Sequence, residues 1–125
     1  MLVGTENQSL YREYYDIIED IETKEAFSYL VGWASSLKNY SCLPSSHGVI
    51  KDFRFMRDTD WDFAFIPNQK WLLFYFRKPS LRFEKYSRAR ILEKFPEAKE
   101  TKPREFTLRI SNFEMAAKIA TLIES

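Results

Sequence analysis

Hydrophobic positions in the first forty residues recur with the spacing of an α-helix. Two apolar stripes can be traced, one through Leu10, Tyr14, Ile17, Ile18 and Ile21 and one through Phe27, Leu30, Val31, Ala34 and Leu37. Residues at these intervals share one side of a helix. Thr5 and Thr23 are suited to begin the two helices, because their hydroxyls can accept a bond from a free backbone N–H. The pattern therefore predicts a helical hairpin over residues 5–39.

The pattern then changes to short apolar and aromatic runs. Residues 39–48 are rich in turn formers, and we predict a surface loop there. Three runs follow, at residues 49–57, 61–66 and 70–77, with polar turns at 58–60 and 67–69 between them. Runs of this length and spacing are typical of consecutive antiparallel strands. We predict a three-stranded meander.

The third run differs from the other two because both of its faces are apolar. Trp71, Leu73 and Tyr75 fall on one side, whereas Leu72, Phe74 and Phe76 fall on the other. A strand of this kind is usually central and covered on both sides. If the helical hairpin and the C-terminal helix share one side of the sheet, the other side is left for a partner. The alternative is that residues 85–95 and the loop at 39–48 cover that side.

The last forty residues continue the alternation of helix and strand. We predict a helix at 85–95, a loop at 97–104, a half-buried strand at 105–111 and a C-terminal helix that Ser111 and Glu114 begin as a capping box. The predicted fold class is α+β: an antiparallel four-stranded sheet, made of the β-meander plus one strand and packed with helices, in the order ααβββαβα. We predict one domain over residues 1–125.

The composition predicts a soluble, globular protein. The chain has 125 residues, of which 17% are aromatic, with eleven Phe, one Cys and a formal net charge of +1. This length suits one domain with a substantial core, and aromatic rings supply much buried area. The start of the chain does not resemble a signal peptide, and the longest apolar run is too short to cross a bilayer. We therefore predict a cytoplasmic protein that does not enter a membrane.

The segment 77–90 is the strongest candidate for ligand binding. It carries Arg77, Lys78, Arg82, Lys85, Arg88 and Arg90 against a single acid, with Phe83 and Tyr86 between them. Basic side chains bind phosphates and aromatic rings stack on bases, so this composition suits single-stranded nucleic acid. A basic loop beside a core is also common for solubility alone. Because no recognition-helix or RNP-type motif accompanies the charge, nucleic acid is not the favoured partner.

Residues that could carry catalysis do not form a recognised motif. Cys42 and His47 share the predicted loop, but no feature nearby lowers the thiol pKa. Asp58, Asp60 and Asp62 alternate as in a calcium loop, yet the Gly and Glu that such a loop needs at its sixth and twelfth positions are missing. We predict no catalytic residue, metal site or cofactor.

The sequence thus favours a non-enzymatic binding or interaction module. The aromatic face of its sheet would meet a second copy of the chain or another protein, and the basic segment 77–90 would form the rim. The candidate ligand-binding residues are Trp71, Tyr75, Arg77, Lys78, Arg82, Tyr86 and Arg88. The alternative is a small metal-dependent hydrolase or nuclease that uses Asp60, Asp62 and Lys70, or a single-stranded nucleic-acid binder.

Overall fold

An antiparallel sheet organises the fold in a computed structural model, which describes residues 1–3, 8–102 and 105–125. Within these residues the strands are β1 (Ser41–His47), β2 (Ile50–Arg57), β3 (Asp60–Pro67), β4 (Leu72–Phe76), β5 (Lys99–Lys102) and β6 (Glu105–Ile110). They pair in the order β1-β2-β3-β4-β6-β5. The first four strands form a meander, and β6 returns beside β4. The predicted meander and the central place of the third run are therefore confirmed.

The helices of the described residues are α1 (Gln8–Ile17), α2 (Ile21–Ala34), α3 (Arg88–Lys94) and α4 (Phe113–Glu124). Two single 3₁₀ turns, Ser80–Arg82 and Glu84–Tyr86, connect β4 to α3. The α+β class is confirmed, but the sheet has six strands in this part of the chain, and the predicted four was wrong. Both additional strands lie at an edge of the sheet.

The first edge strand, β1, replaces the loop predicted at residues 39–48. It pairs with β2 along its whole length, from Ser41 opposite Met56 to His47 opposite Ile50. The turn formers mislead here because Pro and Ser are tolerated in an edge strand, where one side of the backbone needs no partner. Gly48, at a φ of 62°, supplies the tight two-residue turn into β2.

The second edge strand, β5, replaces part of the loop predicted at 97–104. Its sequence is Lys-Glu-Thr-Lys, and all four side chains are exposed. No hydrophobic alternation marks such a strand, so its pairing with β6 could not be predicted from the pattern. Charged edge strands are common because lysines there discourage pairing with another chain.

Helix starts differ from the prediction by one to three residues. Asp20, not Thr23, caps α2, with its carboxylate accepting the backbone N–H of Thr23 at 3.0 Å. Asn112, not Ser111, caps α4 through the N–H of Met115 at 2.9 Å. Ser87 begins α3, so the helix predicted from residue 85 is shorter. The start predicted at Thr5 lies outside the described residues.

The core lies between the helices and one face of the sheet, which we call the helix-covered face. Phe27 of α2 meets Phe65 edge-on, with ring centroids 5.9 Å apart, and Phe95 packs on Phe76 at 6.3 Å. Burial of each such ring stabilises the fold by on the order of 2 kcal/mol. The sheet residues of this face are Cys42, Phe53, Phe55, Phe63, Phe65, Leu72, Phe74, Phe76, Phe106, Leu108 and Ile110.

Candidate interaction surface on the open side of the sheet

The two sides of β4 are in different environments. Leu72, Phe74 and Phe76 are completely buried, whereas Leu73 and Tyr75 are only half-buried. Every ring contact between a helix and the sheet in the described residues falls on the helix-covered face. The helices therefore share one side, and the side that carries Leu73 and Tyr75 is left without a helix in this part of the chain.

Strand pairing assembles a continuous surface on that side, which we call the open face. Arg54 lies opposite Ala64, Ala64 opposite Tyr75, and Tyr75 opposite Thr107, so the surface crosses four strands. Most of its side chains are half-buried. Its residues are Arg54, Met56, Trp61, Ala64, Ile66, Trp71, Leu73, Tyr75, Arg77, Glu105, Thr107 and Arg109.

A β-bulge brings Trp61 to this face. Phe55 pairs with Phe63, but the next residue of β2, Met56, pairs with Trp61, so β3 holds one extra residue, Asp62. In a regular strand Trp61 would share the core side with Phe63. The bulge reverses that alternation, as bulges do, and Trp61 joins Met56 on the open face.

Arginine side chains lie over the tryptophan rings of the open face. The guanidinium carbons of Arg54 and Arg77, one from each side of β3, lie 3.8 and 3.9 Å from the ring centroid of Trp61. Arg109 lies 4.0 Å from the ring centroid of Trp71. Such cation–π contacts are worth about 0.5–1 kcal/mol each at exposed sites. The ring surfaces are thus already occupied by side chains of the chain itself.

Carboxylates pair with two of these arginines. Arg54 donates to Asp52 at 3.0 Å, and Arg77 lies 3.9 Å from Glu105. The acid side chains are 7% and 14% exposed, and those of the two arginines are 21% and 30% exposed. The cation of each pair is therefore the more accessible charge. Burial, followed by the charge of Glu105, raises the pKa of Tyr75, so this phenol is neutral in the folded chain.

The seven predicted ligand-binding residues fall into three places. Trp71, Tyr75 and Arg77 lie on the open face. Lys78, Arg82 and Arg88 line a groove at the end of the sheet, with Glu100 and Phe106 of the helix-covered side. Tyr86 is only 2% exposed, and its ring packs on Phe63 at 5.1 Å. Because Tyr86 is a core residue, it is not available to a surface ligand, and the basic segment does not surround the aromatic face as a rim.

Three of the residues that form the ring contacts of the open face were not among the predicted site residues: Arg54, Trp61 and Arg109. The outward direction of Arg54 and Arg109 can be derived from the alternation of their strands. Their contacts with Trp61 and Trp71 cannot, because each contact joins neighbouring strands whose register the sequence does not state.

The residues of the hydrolase alternative are separated. Asp60 begins β3 and Lys70 follows its end, so they stand at opposite ends of a strand about 25 Å long. Asp62 is completely buried and accepts bonds from Tyr40 and Arg57, both at 2.9 Å. Among the described residues, no three His, Cys, Asp or Glu side chains come together in a way that could hold a metal ion.

The thiol of Cys42 is also unsuited to nucleophilic chemistry. Cys42 points into the core with no exposed surface, and burial raises its pKa to about 11. The thiolate is the reactive form of cysteine, so a neutral buried thiol reacts slowly. His47 is five residues further along the extended β1, about 17 Å away along the backbone.

Comparisons with known proteins add no function to this geometry: no protein-family model, no curated protein and no solved structure matches the chain. What the structure defines is a class of architecture, an antiparallel sheet with helices on one side and an aromatic and arginine-rich surface on the other. None of the helices in the described residues has the length and apolar character needed to cross a bilayer.

Proposed function

We propose that this chain is a non-enzymatic interaction module that binds another protein through the open face of its sheet. The observation that carries the proposal is that Trp61, Trp71 and Tyr75 lie on a surface that no described helix covers, with arginines over both tryptophan rings. Sheet faces that remain apolar in a folded chain commonly meet a partner.

The side-chain types of the open face favour a protein as the partner. Trp, Tyr, Met and Arg are the residues enriched in protein interfaces, and Trp, Tyr and Arg contribute most of their binding energy. The open face carries all four types, together with Ile66 and Leu73. The three cations among the residues that define this face, Arg54, Arg77 and Arg109, are all arginines.

The arrangement of the rings argues against single-stranded nucleic acid on this face. Base stacking requires an accessible aromatic surface. Arg54 and Arg77 already lie within 4 Å of the ring centroid of Trp61, and Arg109 does the same at Trp71. A base would have to displace these guanidinium groups, whereas a protein surface can pack around them.

Charge argues for a different protein in preference to a second copy. Face-to-face pairing of two identical open faces would bring arginines of one copy near arginines of the other. Like charges across an interface are unfavourable. A partner surface with apolar side chains surrounded by acids complements the more accessible cations of this face.

The test compares variants in affinity capture followed by quantitative mass spectrometry. Leu73→Lys places a charge at the centre of the open face, and Val49→Lys is the matched control, because Val49 lies in the β1–β2 turn and is 95% exposed. We expect proteins that are retained by the wild type and by Val49→Lys and lost by Leu73→Lys. Unfolding curves establish that both variants are folded.

Two results would contradict the proposal. One is an identical set of captured proteins for the wild type and for Leu73→Lys. The other is a concentration-dependent dimer in analytical ultracentrifugation that Leu73→Lys abolishes, since the face would then be occupied by a second copy.

A further inference from the structure

We propose that the groove between the basic segment 77–90 and the edge of the sheet binds a small phosphate monoester. The groove has a volume of about 480 Å³, which lies within the usual range of small-molecule sites. Three cations line it: Lys78, Arg82 and Arg88. The site is separate from the open face, because its strand residues belong to the helix-covered side.

Three different segments bring the cations together. Lys78 follows β4, Arg82 ends the first 3₁₀ turn, and Arg88 begins α3. Side chains that are up to ten positions apart thus converge because two 3₁₀ turns fold the connection back on itself. The buried Ser80 hydroxyl, which donates to the carbonyl of Arg77 at 2.7 Å, fixes the first of these turns.

The charge of the groove is only partly neutralised. Its one acid is Glu100, and the Arg88 guanidinium lies 4.0 Å from that carboxylate, with the Arg88 side chain 72% exposed. An ion pair this long and this exposed contributes little. Lys78 forms no ion pair within the described residues. Arg82 is hydrogen-bonded to Asp60, which anchors its side chain.

The apolar residues of the groove indicate which substituent the phosphate ester would carry. Leu81, which is partly exposed, supplies an apolar contact beside the cations, and the buried Phe106 closes the floor of the groove. Guanidinium groups bind phosphate oxygens in a bidentate manner, and an ammonium group adds a point charge. A phosphate group among the cations would leave its ester substituent against Leu81. The ligand class is therefore a phosphate monoester with a small apolar or aromatic group.

The experiment follows backbone amide chemical shifts during titration with phenyl phosphate, inorganic phosphate and phenol at constant low ionic strength. We expect phenyl phosphate to shift amides within residues 78–88 and near residues 100 and 106. Inorganic phosphate should shift the same amides with lower affinity, because it lacks the apolar group. Phenol, without the charge, should leave them unchanged.

Variants show which side chains are responsible. The double variant of Lys78→Ala and Arg88→Ala should weaken phenyl phosphate binding about tenfold or more, since two of the three cations that would contact the phosphate are lost. Arg90→Ala is the control, because Arg90 is also exposed and pairs with Glu84 outside the groove. Its affinity should equal that of the wild type.

Three outcomes would overturn the site: no shifts at millimolar phenyl phosphate, equal shifts with phenol, or equal affinity in the double variant and the wild type. Much tighter binding of a phosphotyrosine peptide than of phenyl phosphate would overturn the small-molecule assignment in favour of a protein ligand. Leu73→Lys leaves the groove intact, so its capture result and this titration fail independently.

Discussion

The two faces of the sheet show how one set of strands can serve stability and recognition separately. On the helix-covered face, phenylalanines fill the space under the helices and are fully buried. On the open face, arginines lie over the rings of Trp61 and Trp71 at the surface. Phenylalanine has no polar group and tolerates complete burial, whereas Tyr, Trp and Arg combine an apolar part with a polar group.

Because of this difference, the two faces contribute unequally to the free energy of folding. Rings of the helix-covered face lose their packing only when the chain unfolds. Rings of the open face are already half exposed, so they contribute less to folding and retain apolar area that a partner could bury. Substitutions should therefore affect the two faces by very different amounts, even between adjacent residues of one strand.

The largest difference is expected between Phe74 and Tyr75, which are neighbours on opposite faces of β4. Phe74→Ala should lower the free energy of unfolding by about 4 kcal/mol, because it removes a fully buried ring and leaves a cavity. Tyr75→Ala should cost about 1–2 kcal/mol, since Tyr75 is only partly buried. Urea denaturation at neutral pH measures both values. Equal losses for the two variants would show that the open face is covered in solution.

The next largest effect on stability is expected at the β-bulge, at Asp62. Asp62→Ala should cost about 2–3 kcal/mol, because the buried carboxylate accepts bonds from Tyr40 and Arg57. The Tyr40 hydroxyl would lose this acceptor, and Arg57 would keep its longer bond to Asp60, at 3.3 Å. The exposed pair of Arg12 and Asp16 provides the control: Asp16→Ala should change stability by less than about 0.5 kcal/mol. Denaturation curves that superimpose for the two variants would exclude this role for Asp62.

How far the sequence predicts this structure depends on whether a feature is local. Alternation within β4 correctly placed Phe74 and Tyr75 on opposite faces of the sheet, because a strand's side-chain period follows from its backbone alone, but it did not show which face the helices cover. The edge strands β1 and β5 were missed, since their pairing depends on β2 and β6 and their own sequences lack a strong pattern. Tyr86 was expected at the surface because its neighbours are basic, yet its ring fills space under α4 and against Phe63.

The candidate surface was only partly predicted, because much of it depends on how separate elements pack together. That the helices share one side of the sheet was one of two alternatives, and helical stripes alone cannot decide between them. The bulge at Asp62, which moves Trp61 to the open face, is a property of two paired strands. Nor could the sequence show that Lys78, Arg82 and Arg88 meet in a groove apart from Trp71 and Tyr75.

Alkaline pH should lower the free energy of unfolding through buried tyrosines, by a smaller amount than the substitutions above. Burial, followed by the charge of Asp52, raises the pKa of Tyr14 from 10.0 to about 12. The unfolded chain therefore loses this phenol proton at lower pH than the folded chain does. Stability from the neutral phenol is complete below pH 10 and is lost as pH rises towards 12.

The measurement is the pH dependence of the free energy of unfolding above pH 10. Tyr14→Phe should flatten the slope by up to about 1.4 kcal/mol per pH unit. Tyr75→Phe on the open face should flatten it less, because its phenol is less completely buried. A larger effect of Tyr75→Phe would reverse the proposed order of the two faces.

The smallest effect concerns the contact between Arg109 and Trp71 on the open face. A double-mutant cycle of Arg109→Gln and Trp71→Leu should give a coupling of about 0.5 kcal/mol in the free chain, because the guanidinium is exposed to water. Arg12→Gln with Trp71→Leu is the control pair and should be additive, since Arg12 pairs with Asp16 on α1. A cation–π contact strengthens to about 2 kcal/mol when water is removed. A protein bound to the open face would exclude that water. The coupling of Arg109 with Trp71, obtained from the same cycle measured on binding affinity, should therefore exceed its value in the free chain. A coupling that stays near its free-chain value would mean that the partner binds elsewhere.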